Sequence, residues 1–269
     1  MTIPVVVCGS SGRMSDLIAA ALNDTPDLRA AARLSLRPTE ASAADSGAVR
    51  ELGRVCVPEP VVVDFTAPQA TRRLLHQART VPCSLVIGTS GLTDGDRSLM
   101  REVGRERTIV TAANFSVVLL AMARFVRELG SLVDHTWDAG VVDVHFAGKK
   151  DRPSATARYL AEQWPGPPGR EAAPPEVAAF RMGDGVSEHR VLASGTGEHV
   201  EVLHRVADRT ALLPGILRSV RFAAHAGPGV HTLEDVVDAG PDRSGDVPRR
   251  PVPEAAPRSS GTAREGFEH

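Results

Sequence analysis

The feature that most constrains this chain is an alternation of short, continuous apolar runs with helix-like segments over its first 114 residues. Val5-Val6-Val7 comes first, then an amphipathic stretch from Met14 to Leu22, then Leu28 to Leu34. Val61-Val62-Val63-Asp64, Gln69 to Ala78, Ser84 to Ile87, Thr93 to Gly104 and Thr108 to Val110 continue the series. Uninterrupted apolar strands separated by helices belong to a parallel sheet covered on both faces, because a strand with one wet face would alternate instead. The fold class is therefore α/β, a doubly wound parallel sheet.

Beyond Asn114 the pattern changes. A long helix from Val117 to Leu132 precedes strand-like segments at Val141 to Phe146, Val177 to Met182, Glu188 to Ala193 and His199 to Val206. Ser194-Gly195-Thr196-Gly197 suits a hairpin between the last two. With a helix at Ser154 to Gln163, these make a second, α+β domain with an open, mainly antiparallel sheet. Trp164 to Pro175 reads as a surface loop, and a helix is expected at Ala211 to Ala224. The expected division is 1–116 with 219–239 as one domain, 117–218 as the other, and a disordered, Pro- and Arg-rich tail at 240–269.

Gly9-Ser10-Ser11-Gly12-Arg13-Met14 falls where the first strand turns into the first helix. Glycines there let backbone N–H groups at a helix N-terminus approach a pyrophosphate, so Gly9, Gly12, Arg13 and Met14 are expected to bind a dinucleotide. An acidic residue after the second strand would hold the ribose hydroxyls of NAD. This chain has Arg33 there, with Arg37 behind it, and basic groups suit a 2′-phosphate, so NADPH is expected to be preferred over NADH. Phe65-Thr66 and Gly88-Thr89-Ser90 end two further strands at the same edge, where ligands of open α/β sheets lie.

Only two of the 31 basic residues are lysines, Lys149 and Lys150, side by side. Lysine can yield a proton where arginine cannot, so the pair marks a catalytic candidate. His145 lies four residues before Lys149 with Gly148 between, and a strand followed by a loop can bring both to one pocket; equally, His145 can pair with Asp143 on the same strand face. Pro153 suits a first helical turn, and the N–H groups around Ser154, Ala155 and Thr156 would make a carboxylate clamp.

The net charge of −2 excludes a general nucleic-acid or membrane-surface binder. No apolar stretch approaches the roughly 18 residues of a membrane span. Cys8, Cys56 and Cys83 are far apart and odd in number, which points to reduced, mostly buried thiols in a cytoplasmic protein with neither disulfides nor a metal site.

Taken in order, Gly9 to Met14, Val63 to Pro68, Val86 to Gly91, Ala112 to Ser116, Lys149 to Ala157, Gly185 to His189, Gly197-Glu198 and Pro228-Gly229 resemble bacterial dihydrodipicolinate reductases. The resemblance implies a Rossmann-like cofactor domain, a substrate domain whose open sheet forms a homotetramer, and hydride transfer from NAD(P)H to a small cyclic unsaturated imine carboxylate. It makes Lys149 the proton donor or carboxylate anchor and His145 the polariser or proton relay. It adds Ala113, Asn114 and Phe115 to the cofactor side, though Asn114 and Phe115 also read as hinge residues. Arg218 takes the place of an arginine that approaches substrate.

Phe146 replaces a second histidine of the family pattern, Ala155 a clamp glycine, and Val118-Leu119-Leu120 a Gly-Val-Asn. These departures fall on the substrate side, so a divergent member with an altered substrate is expected. The lysine-pathway reaction itself and a dinucleotide-binding sensor without turnover stay open as alternatives; a pure sensor has no need of Lys149.

Overall fold

A computed structural model describes residues 2–36, 48–165, 174–185 and 187–240. Strands β1 (Ile3–Cys8), β2 (Leu28–Leu34), β3 (Val61–Asp64), β4 (Ser84–Ile87), β5 (Thr108–Thr111) and β10 (Gly229–Thr232) form a six-stranded sheet in the order β10-β5-β4-β3-β1-β2. Every pairing in it is parallel. Val61, Val62 and Val63 are fully buried, as both faces of the sheet are covered.

Helices α1 (Arg13–Asn23), α6 (Leu213–His225) and α7 (Leu233–Asp238) cover one face, packing Ile18, Leu22, Ile216, Val220 and Val236 onto Val5, Val7 and Val63. On the other face, α2 (Pro68–Ala78) and α3 (Asp94–Val103) pack Leu74, Leu75 and Met100 against Val6, Val62 and Leu85. Thr93 and Asp96 close a capping box at the start of α3, and Arg72 adds an ion pair at 2.7 Å to Asp96.

The second sheet runs β7 (Glu176–Arg181), β6 (Asp138–His145), β8 (Ser187–Gly195) and β9 (Glu198–Val206). β6 pairs with β8 and β8 with β9 antiparallel, while β6 and β7 are parallel. One face carries α4 (Val117–Leu132) and α5 (Ala155–Ala161), with Leu119, Ala123, Val126 and Leu160 on Val141 and Val191. Thr196 and Gly197 make the hairpin turn, with φ +77° at Gly197.

Most expected elements are present within one to three residues, and four points differ. The helix expected from Ala211 is a 3-10 turn (Arg209–Leu212) followed by α6. Pro214 lies in the first turn of α6, where its missing N–H costs nothing; further in it would break the helix. β10 and α7 were not anticipated, because a four-residue strand with Val230 as its one large apolar residue carries no periodicity. Cys56 is exposed rather than buried; Cys8 and Cys83 are buried. The expected limit at 218/219 falls within α6, which packs as one unit on the parallel sheet. Arg37 and the expected tail from 241 onward lie outside the described residues.

Candidate functional site

The carboxyl ends of β1, β2 and β3 surround a cavity of about 280 Å³ lined by Gly9, Gly12, Arg13, Met14, Leu34, Ser35, Phe65, Thr66 and Arg209. Gly9 has φ +108°, and a Cβ there would fall 2.4 Å from Ser15 Oγ. The hydroxyl of Ser15 is buried and donates to Cys8 O at 3.2 Å, so this serine closes the turn where a further glycine is common. Gly12 begins α1 with no side-chain cap, which leaves the N-terminal amides of α1 to a ligand. Across the cavity mouth comes Arg209, from the 3-10 turn after β9. Its guanidinium pKa is lowered first by burial and then by Arg13. Two cations that face each other over a glycine turn and a helix N-terminus fit a diphosphate.

Arg33 does not line this cavity. Its Nη1 bonds Asp16 Oδ1 at 2.8 Å and reaches Ser10 O at 3.5 Å. The Asp16 carboxylate is 60% exposed, and an exposed pair of this kind is worth about 1 kcal/mol or less, so a phosphate could replace it.

Asp64 ends β3 almost completely buried. It accepts from Thr66 N at 3.0 Å and from the hydroxyls of Thr66 and Thr71 at 2.5 and 2.6 Å. Burial pushes its carboxyl pKa up, and the threonine bonds oppose this. These bonds fix the loop that carries Phe65 and Thr66. The Phe65 ring lies over Gly88 and 5.2 Å from the buried Phe115 ring. Gly88 and Phe115 therefore shape the floor of the site from behind.

A second cavity lies where β4, β5 and β10 end against α5. Thr89, Ser90, Ala113, Asn114, Ala155, Tyr159 and Glu234 line it. Asn114 spans the two layers: its Oδ1 accepts from Ser116 N at 2.8 Å and its Nδ2 donates to Thr156 Oγ1 at 3.3 Å. Apart from Arg33, Gly88 and Phe115, the expected cofactor residues thus divide between two cavities along one sheet edge; of the expected clamp residues, Ala155 lines the second and Thr156 meets it through Asn114.

The inward face of β6 carries Val141, Asp143 and His145 in alternation. Asp143 Oδ1 lies 2.8 Å from His145 Nδ1 and 3.5 Å from His189 Nε2, and Oδ2 pairs with Arg181 Nη2 at 3.0 Å. Ser154 gives the same carboxylate its amide at 2.8 Å and its hydroxyl at 3.0 Å. Burial pushes the Asp143 carboxyl up, but His145, the Ser154 amide and Arg181 outweigh it and hold it well below the usual carboxylate range. His189 is wholly buried, and desolvation, then the charge of His145, hold its imidazole down to about 4. The Ser154 amide expected in a carboxylate clamp is therefore already bound to a carboxylate of this chain.

Lys149 Nζ lies 2.8 Å from Asp151 Oδ1 and is about four-fifths buried. Burial raises the Asp151 carboxyl, while Lys149 and the backbone N–H of Ala155 bring it net below its ordinary value. Asp151 thus sits where an incoming carboxylate would meet both groups. Arg218 is not brought to this region: its Nη2 donates to Val237 O at 3.0 Å, tying α6 to the end of α7. The arginine at the cleft is Arg209, nine residues earlier, because the 3-10 turn at 209–212 precedes the point where α6 turns onto the parallel sheet.

Asp143, His145 and His189 each offer one metal-ligand atom within 4.8 Å of the others. Arg181 on the same carboxylate puts a fixed positive charge beside any cation placed there, which argues for an ion-pair network rather than a metal centre. Sequence reasoning missed Arg209, Arg181, His189 and Tyr159 as members of the site. The one available signal was an acidic residue at an inward position of β6, which has to be paired. No helix among the described residues is long and apolar enough to cross a membrane.

Two family profiles match the chain, "Dihydrodipicolinate reductase, N-terminus" over residues 3–115 and "Dihydrodipicolinate reductase, C-terminus" over 117–237. Among curated relatives, the 4-hydroxy-tetrahydrodipicolinate reductase of Rubrobacter xylanophilus is 34% identical over 263 residues, covering 89% of this chain and all of its own. That of Hahella chejuensis is 27% identical, covering 87% of this chain and 98% of its own. A dipicolinate-bound dihydrodipicolinate reductase from Paenisporosarcina sp. TG-14 shares the fold with a TM-score of 0.67 at 18% identity, over 86% of this chain and 98% of that one. With both profiles matched in order and relatives aligned along their whole length, the chain belongs to the dihydrodipicolinate reductase family.

Proposed function

We propose that this chain is an NAD(P)H-dependent reductase of a small cyclic unsaturated imine that carries carboxylates, of the 4-hydroxy-tetrahydrodipicolinate type named for its relatives. One observation carries the reading: the Asn114 to Thr156 bond, 3.3 Å, joins the edge of the cofactor cavities to the helix that begins the substrate side. The nicotinamide supplies the hydride when bound. Gly9, Gly12, Arg13 and Arg209 hold the diphosphate, and Thr66, Thr89, Ser90 and Ala113 shape the space beyond it.

Hydride addition to a conjugated imine leaves negative charge that needs a proton or a nearby cation. Lys149 and His145 are the groups here that can supply either. A substrate carboxylate competes with Asp151 for Lys149 and the Ala155 amide, and Thr156 offers its hydroxyl beside them. Residues 1–116 with about 209–239 serve the cofactor, and about 117–208 serve the substrate and a homotetramer built on the open sheet face. NADPH is preferred, through Arg33 released from Asp16; an NADH preference that survives Arg33→Ala would overturn that part.

A second reading, an altered substrate, is favoured by one feature. The Ala155 side chain lines the cavity at the start of α5 and puts a methyl group where the family pattern has glycine. NADPH oxidation against 4-hydroxy-tetrahydrodipicolinate and a panel of cyclic imines and dihydropyridines separates the two. Highest kcat/KM on the first compound supports the main reading, and highest kcat/KM on another supports the second. No turnover of any of them would overturn both.

A further inference from the structure

We propose that Asp143 is a positioning residue of this reductase site, holding the His145 imidazole and the start of α5 in one arrangement through a single buried carboxylate. The inference rests on the reading of His145 and Thr156 given above. Its physical ground is the number and origin of the groups that meet on Asp143. His145 is on its own strand, Arg181 on β7, His189 on β8 and Ser154 at the N-terminus of α5, so four elements converge on two oxygens. Burying a carboxylate is costly and adds little to stability over an apolar residue of similar size. Val141 fills the equivalent inward place two residues earlier with no such partners. A charge kept here, fully paired, serves orientation.

Two consequences follow for the site. His145 Nδ1 lies 2.8 Å from the carboxylate oxygen, within ion-pair reach but not aligned on it as a hydrogen bond; negative charge that close favours the proton on Nδ1 and leaves Nε2 to exchange protons. The rest of the ring borders a cavity with Met182, Ser187 and Ala207. The same carboxylate takes both the amide and the hydroxyl of Ser154 and so fixes where Ala155 and Thr156 stand against Asn114. Asp143 therefore sets the distance between the proton-bearing ring and the helix that meets the substrate. The charged and titratable groups around His145 and His189 are Asp143, Arg181 and Lys149 and, from β8 and β9, Glu188, Arg205 and His204.

The test uses the full-length protein and its Asp143→Asn variant. Heteronuclear NMR of the histidine rings is expected to show His145 protonated on Nδ1 in the wild type. In Asp143→Asn the preference for the Nδ1 proton should weaken and the Nε2-protonated tautomer should gain, since the carboxylate charge that favours Nδ1–H is gone. Imine-reducing kcat should fall on the order of 100-fold, and adding Asp143→Asn to His145→Gln should cost clearly less than it costs in the wild type. A bare Nδ1 in the wild type, an unchanged tautomer balance in the folded variant, or fully additive losses overturn the proposal. If the buried guanidinium left behind unfolds Asp143→Asn, Asp143→Asn with Arg181→Met removes it and gives the same readings. A protein that reduces no imine yet shows the tautomer shift would defeat the functional reading and leave the positioning role standing.

Discussion

The ring of Phe65 lies so close over Gly88 that a Cβ at position 88 would fall 2.1 Å from it. Gly88 follows β4 and Phe65 follows β3, so the absence of one side chain sets the height of the site's floor. Gly88→Ala is expected to tilt Phe65 out of its contact with Phe115, at a cost of about 1–3 kcal/mol in stability, the usual range for overpacking. Cofactor affinity should fall with it, read by fluorescence titration with NADPH. Unchanged affinity would mean that Phe65 relaxes without disturbing the cavity.

Arg209 and Arg218 make an informative pair of substitutions. Arg209→Ala removes one of two guanidiniums facing the first cavity and should weaken dinucleotide binding about tenfold, a charge-assisted contact, with a shallower salt dependence of Kd. Arg218→Ala loses only the bond to Val237 O. It should leave Kd and KM unchanged while lowering stability by about 1 kcal/mol. The reverse pattern would return Arg218 to the site.

Lys149→Met keeps the length of the side chain and removes its charge and proton. The expected result is a fall in kcat/KM on the order of 100-fold or more, with cofactor Kd unaffected. Equal loss in a Lys150→Met control would show that general charge, rather than position, is at stake.

Acid stability should register the buried histidine. His189 takes a proton near 6.5 in the unfolded chain but only near 4 in the fold. Between those values the unfolded state binds more protons, so stability falls as pH falls, by at most about 3 kcal/mol. Asp143, held below its ordinary range, adds a further loss only below about pH 4. Urea midpoints measured from pH 7.5 to 4 should therefore decline through this window and decline less in His189→Gln. A flat wild-type profile would contradict the burial assigned to His189.

The first sheet was legible because its strands are continuous apolar runs ended by residues with special roles: Val61 to Asp64 and Ser84 to Ile87 were read to the residue. The glycine turn and the Lys149 to Thr156 segment were legible for a similar reason, since local chemistry marks them. Arg209 was not, because an arginine's place in a cleft depends on where a 3-10 turn hands over to a helix, and a two-residue change of phase swings a long side chain to another face. His189 looked like an ordinary strand residue. Its membership in the buried cluster comes from register with Asp143 across β6 and β8, and single-strand periodicity contains no register.

β10 places a late segment of the chain on the edge of a sheet whose other five strands are complete by residue 111. The two halves of this protein are consequently nested rather than tandem. A fragment ending near residue 116 would expose the unpaired edge of β5 and the apolar bed that Ile216, Val220 and Val236 occupy, and such an edge invites aggregation. Anyone exchanging the substrate-binding half between relatives should therefore graft it as an insertion between about residues 116 and 209, with α6, β10 and α7 retained from the host.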